Sequence, residues 1–304
     1  MKNKGILFGV ITYSIWGLLP IYWKLLKDVP AIEILGHRMV WSFFFMVLVL
    51  GVTKRWRWIR LVLQQPKVLA PFLLTAVILS LNWFTYIWAV NAGFIVETAL
   101  GYFINPLVNV LLGYLFLKER LRVGQGVAVL LALSGVLYLT FSYGSLPWIA
   151  LTLAFSFGFY GLLRKTAVLD SIDGLALETA WLFPFALGML VLFAIQGKGS
   201  FVQGSAGMTL LLMGAGVVTA VPLLFFAATA RRVTMATLGI LQYLAPTIQF
   251  LIAIFIYNEP FNRSQLFGFS FIWLALIVYT VESWRHNRGI VHLQTATIST
   301  GVVD

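Results

Sequence analysis

The feature that most constrains this chain is a succession of apolar runs of about 20 residues, the length at which a helix crosses the hydrocarbon core of a bilayer. Marked off by charges, Pro and Gly, they fall at 5–26, 31–53, 68–91, 96–117, 123–141, 146–164, 174–196, 209–229, 235–256 and 264–282. Of the 304 residues, 61% are hydrophobic and 10% charged, whereas a soluble domain needs about a quarter charged to cover its surface. The surplus has to face lipid, where a chain survives only if its backbone groups are paired internally. The expectation is an all-α membrane protein of ten transmembrane helices.

The distribution of basic residues tests that map, because cytoplasmic loops of membrane proteins collect Lys and Arg. With the N-terminus cytoplasmic, that side receives Lys2, Lys4, Lys54, Arg55, Arg57, Arg60, Lys67, Lys118, Arg120, Arg122, Arg164, Lys165, Arg231, Arg232, Arg285 and Arg288. The opposite side receives only Lys24, Lys27, Lys198 and Arg263, and Arg38 alone stays inside a span. Dropping one helix would invert every later loop and erase the asymmetry, so both termini are expected in the cytoplasm. The net charge of +11 is therefore spread as topogenic clusters. It is not gathered on one face, which argues against a nucleic-acid partner. There is no cysteine, and His37, His286 and His292 are too scattered for a metal cluster, so neither metal nor cofactor is expected. Met1 to Lys4 is a short basic start and the apolar run after it lacks a small-residue cleavage site, so it reads as the first span and not as a removed signal peptide. Residues 283–304 are polar and expected as a disordered cytoplasmic tail.

The chain also repeats itself. At an offset of 140 residues Pro106 falls on Pro246, Asn109 on Gln249, Leu111 on Leu251 and Glu119 on Glu259. Five spans separate the copies, and five is odd, so the repeats 1–142 and 146–282 are expected to cross the membrane in opposite senses. Inverted repeats place a binding site near the midplane and supply two exchangeable conformations.

Several segments carry a likeness to a known family: His37-Arg38 with Trp41-Ser42, Asn82-Trp83, Trp88-Ala89-Val90-Asn91, Glu97 through Pro106, and Gln242-Tyr243 with Pro246. Over roughly residues 5–282 the chain resembles the drug/metabolite transporter superfamily, its EamA branch, and the RarD-like permeases within it. The resemblance implies ten helices, an inner-membrane location and transport of small metabolites or amphipathic drugs such as chloramphenicol.

Polar groups inside a span usually face a bundle interior or a wet path. Thr98, Tyr102, Asn105 and Asn109 share one helical face, as do Thr75, Asn82, Tyr86 and Ala89, and Gln242 with Gln249. Asn82, Tyr86, Tyr102, Asn105 and Gln242 are thus candidates for substrate binding. Trp16 joins them as an aromatic wall, and Arg38 as a planar cationic fork for a carboxylate or another acceptor. The competing reading is interhelical hydrogen bonding and ordinary packing. His37, Glu97 and Glu178 are candidates for a coupling proton, because acids and imidazole inside spans mark relays. Pro106 and Pro246 are candidate hinges. Gly5 and Gly9 form a small-residue pair for close helix packing.

The function classes then order themselves. A secondary transporter, as a monomer or homodimer, accounts for the repeat and the polar stripes. A channel or a structural membrane protein is the alternative, without a filter sequence to support it. A membrane-embedded enzyme has neither HExxH nor GxSxG nor a carboxylate pair within the spans.

Overall fold

The computed structural model describes residues 2–62, 64–92, 94–143, 147–256 and 263–299. Among them the chain is helical throughout, without a strand. The elements are α1 (Lys2–Lys24), α2 (Ala31–Thr53), α3 (Arg57–Val62), α4 (Pro66–Asn91), α5 (Ile95–Leu117), α6 (Val123–Tyr143) and α7 (Trp148–Thr166). They continue as α8 (Ser171–Ile195), α9 (Ser200–Gln203), α10 (Ala206–Ala230), α11 (Met235–Gln242), α12 (Leu244–Phe255) and α13 (Arg263–Ser299). Among the described residues, eight helices are long and apolar enough to cross a membrane: α1, α2, α4, α5, α6, α8, α10 and α13. The expected sixth and ninth spans correspond to α7 and to the α11–α12 pair, which are not among the eight. α7 carries Arg164 and Lys165 in its last turn. α13 continues as helix past residue 282, where the tail was expected to begin.

Local chemistry sets the element ends. Asp170 caps α8 by accepting from the N–H groups of Ile172 and Asp173, both at 3.0 Å, and Ser205 and Thr234 do the same for α10 and α11. Such caps satisfy helix N–H groups that have no partner within the helix. The break between α11 and α12 follows from Pro246. That residue has no N–H to return to the carbonyl of Gln242, and its ring crowds the same carbonyl. The chain restarts at Leu244 instead, with Pro246 in the first turn of α12, where proline is tolerated. Pro106, its counterpart in the repeat, lies inside an unbroken α5.

The chain forms two compact units, residues 1–117 with 147–259, and residues 118–146 with 260–304, so each draws on both halves of the sequence. In the larger unit α1 packs on α10, α11 and α12, α2 on α8 and α10, α4 on α7 and α8, and α5 on α7 and α11. Small residues permit the close crossings. A Cβ at Gly239 would lie 2.5 Å from the Pro106 carbonyl oxygen, so α11 rests on the backbone of α5. Gly5 and Gly9 seat α1 against Arg232, Val233 and Leu241, as their pairing suggested. The smaller unit pairs α6 with α13 through a bidentate contact of Arg122 with Glu282, at 2.6 and 2.7 Å. Large apolar side chains such as Leu48, Val52, Leu130 and Phe185 are exposed, the pattern of a surface whose solvent is lipid.

Candidate functional site

A cavity of about 190 Å³ opens inside the larger unit. One water needs about 10–15 Å³ on this scale, so the space holds a molecule and not merely an ion. Its walls come from α1 (Trp16, Trp23), α2 (Arg38), α4 (Asn82, Trp83, Tyr86), α5 (Tyr102, Asn105), α7 (Phe157), α10 (Thr219) and the α11–α12 break (Gln242, Pro246, Gln249). All seven residues read from the sequence as substrate-binding candidates, namely Trp16, Arg38, Asn82, Tyr86, Tyr102, Asn105 and Gln242, line this one space.

Among the described residues, Arg38 is the only charged one in its lining. Nε donates to the Thr219 hydroxyl at 3.0 Å, and the guanidinium carbon lies 5.0 Å from the Trp23 ring centre and 4.7 Å from that of Trp83. Cation–π contacts of this kind hold a guanidinium without an acid. Among the described residues no carboxylate lies within ion-pair distance of Arg38.

The amides form a relay whose direction can be deduced. Asn105 donates through Nδ2 to the Ala154 carbonyl at 2.5 Å. A carbonyl only accepts, so Asn105 must turn Oδ1 toward Asn109, which donates to it at 3.2 Å. Asn109 also donates to Oε1 of Gln242 at 2.9 Å, which leaves the Gln242 Nε2 group as a free donor in the cavity wall. Gln249 donates to the Trp16 carbonyl at 3.1 Å and keeps its Oε1 for the cavity. Asn82 is spent on α7, donating to the Leu153 carbonyl and to Ser156. For Asn82 and Asn105, then, the interhelical glue and the lining position coexist. Tyr102, 43% exposed, meets Tyr86 edge-on at 6.0 Å. Trp16 belongs to an aromatic wall with Tyr13, Phe157 and Phe226.

Two of the three proton-coupling candidates, His37 and Glu178, lie elsewhere. His37 faces away from the cavity. Its Nδ1 accepts from Trp41 Nε1, its Nε2 is 3.8 Å from Glu33, and its ring stacks on Phe201. Glu178 is buried beside Arg164, with Nη1 3.6 Å from its Oε1, and accepts from the Tyr160 hydroxyl. The Arg164 guanidinium lies directly over Gly174, where no side chain could fit. The side chain of Glu97 lies outside the described residues, as does Glu259. Pro246 lines the cavity and Pro106 does not.

Sequence reasoning missed two carboxylate clamps at the ends of the α2–α8 pair. Glu33, at the start of α2, accepts from the N–H groups of Ser200 and Phe201 and from the Ser200 hydroxyl, and so ties down α9. At the other end of α2, Arg55 bridges Asp170 and Asp173 at the start of α8. Partial burial of Asp170 is outweighed by the Asp173 N–H and by Arg55, which hold its carboxyl below the usual range. The hydrogen bond to Asp170 in turn raises the pKa of Arg55. Glu33 and Asp173 stand 140 residues apart, the offset of the repeat, and that spacing was the available signal. Thr219 offered none, being one hydroxyl in an apolar run.

Comparison with known proteins adds a third line. The EamA-like transporter family model matches the chain twice, over residues 3–141 and 146–281. The uncharacterized transporter YojE of Bacillus subtilis is 49% identical over 94% of this chain and 96% of its own. Protein RarD of Escherichia coli is 44% identical over 94% and 97%. The chloramphenicol-sensitive protein RarD of Pseudomonas aeruginosa is 32% identical over 95% and 97%. A solved crystal structure 19% identical in sequence shares the fold, with a TM-score of 0.71 over 94% of this chain and 99% of that one.

Proposed function

Because this chain belongs to the EamA-like transporter family, as a RarD-like member, we propose that it is a secondary transporter of the cytoplasmic membrane. It carries small organic molecules through the Arg38 cavity by alternating access of two inverted five-helix repeats. The observation that carries this reading is the convergence of Arg38, Asn82, Tyr86, Tyr102, Asn105, Gln242 and Trp16 on one space inside the larger unit.

The packing supports the repeat. Exchanging α1 with α7, α2 with α8, α4 with α10, and α5 with α11–α12 turns the α1–α10 contact into α7–α4, and α1–α12 into α7–α5. The same exchange turns α2–α10 into α8–α4 and leaves α2–α8 and α5–α11 unchanged, and all of these contacts are present. Tyr243 donates to the carbonyl of Phe103 at 3.1 Å, across the 140-residue offset itself. A cavity crossed by such an exchange can open to either side in turn. On this reading α7 and the α11–α12 pair complete ten crossings, with both termini in the cytoplasm. Pro246, at the helix break in the cavity wall, is the better placed of the two hinge candidates. Glu178 would carry a coupling proton through its contacts with Arg164, Tyr160 and Thr75, and uptake that ignores a pH gradient in vesicles removes that role.

Counterflow in reconstituted vesicles tests the carrier. A screen of organic acids, amino acids and amphipathic antibiotics is expected to yield a saturable substrate that is recovered unchanged. The name of the Pseudomonas relative makes chloramphenicol one compound to include. Arg38→Lys keeps the charge and loses the planar fork, and is expected to abolish counterflow while inserting normally. Flux that never saturates would point to a channel instead.

A further inference from the structure

The chemistry of the cavity narrows what it can carry, given that the cavity is the substrate site proposed above. Arg38 offers a guanidinium that lies over the rings of Trp23 and Trp83 and whose Nε is taken by Thr219. Neither Nη atom has a hydrogen-bond partner among the described residues, and neither is among the buried unpaired atoms, so the Nη1–Nη2 edge is open and accessible. That edge is the geometry that binds a carboxylate through two parallel N–H bonds.

We infer that the substrate is a small organic monoanion, with its carboxylate in plane on the Nη edge of Arg38 and a flat apolar body against the aromatic wall around Trp16 and Phe157. The charge balance selects this class. A permanent cation in a membrane-embedded, largely apolar space is costly without a counter-charge, and among the described residues the lining contains no Asp or Glu to supply one. A monoanion neutralises it, a dianion leaves a residual charge, and a cation adds to the repulsion. A neutral ligand leaves the charge unbalanced. The free Nε2 donor of Gln242, set by the Asn109 relay, and the spare Oε1 of Gln249 then serve a second polar group on the substrate.

The test uses the purified full chain in detergent and three probes that share one phenyl body: 3-phenylpropanoate, 3-phenylpropanamide and 3-phenylpropylammonium. Calorimetric titration is expected to show the carboxylate binding about tenfold or more tighter than the amide, the worth of a charge-assisted hydrogen bond, and no binding of the ammonium. Arg38→Gln removes both the charge and the planar fork and is expected to bring the carboxylate down to the level of the amide. Should that variant fail to insert, Thr219→Val keeps Arg38 but releases its Nε, and the carboxylate alone is expected to weaken severalfold. Amide or ammonium binding as tightly as the carboxylate overturns the inference, as does a set of three probes that do not bind. A separate readout distinguishes the two readings, because the chain has no native cysteine. If the neutral or cationic probe shields Tyr102→Cys from a polar thiol reagent better than the carboxylate does, the cavity stands as the site and the anion assignment falls. If all three bind without shielding that position, the cavity itself is the wrong site.

Discussion

Arg38 and Arg164 show how differently one residue type is housed within the larger unit. Arg38 is held by rings and a hydroxyl and keeps one edge open. Arg164 is wholly buried, with Glu178 as its counter-charge and the carbonyls of Asp170 and Ser171 as acceptors. From the charge pattern Arg164 counted toward the cytoplasmic side, at the end of the expected span 146–164, and its side chain is buried where Gly174 leaves room for it. Removing one partner of a buried pair strands the other charge and costs about 3–5 kcal/mol, whereas replacing both with apolar groups is often neutral. Glu178→Gln and Arg164→Met are each expected to lower the melting temperature sharply in detergent, and Arg164→Met with Glu178→Met to recover most of the loss. A double variant as unstable as the worse single one would show that the pair does more than balance charge.

Among the elements, the two clamps on the α2–α8 pair differ in chemistry although they occupy matching places. Glu33 holds α9 by neutral donors, while Asp170 and Asp173 hold Arg55 by charge. They stand roughly 20 residues apart along α2, about 30 Å at the helical rise, which puts one at each end of a span-length helix. The Asp170 carboxyl of the Arg55 clamp, held below the usual range, should respond to pH with a definite sign. A carboxyl whose folded pKa is depressed contributes stability above its unfolded value, about 3.9 for Asp, and loses it as pH falls through the lower folded value. The melting temperature of the wild type is therefore expected to drop below about pH 4. Asp170→Asn keeps a cap acceptor but not the charge, so its curve should be flatter there; an equally steep fall would assign the acid sensitivity to another group. Ionic strength should weaken the Arg55 clamp, which is partly exposed, and leave the buried Glu33 clamp nearly untouched.

For the whole molecule the decisive measurement is topology. Reporter fusions after Lys54 and after Arg285 are expected on the cytoplasmic face and fusions near Lys27 and Lys198 on the opposite one; Lys54 and Arg285 on different faces would break the inverted arrangement. Much of this was readable from the chain alone. Bilayer thickness imposes a run length, basic clusters impose a sense of crossing, and helical spacing puts Tyr102, Asn105 and Asn109 on one face, so membrane class, helical segments and seven cavity residues all followed from one-dimensional pattern. What the chain could not disclose is which polar groups are already paired. Asn82 looks alike in sequence to Gln242, yet both of its N–H donors are spent on α7, whereas Gln242 is bonded through its oxygen and keeps its donors for the cavity. The absence of an acid beside Arg38 among the described residues, and the presence of one beside Arg164, depend on contacts between residues apart along the chain. A hydrogen bond or an ion pair is a fact about neighbours in space, and spacing along a helix fixes direction without fixing who stands opposite.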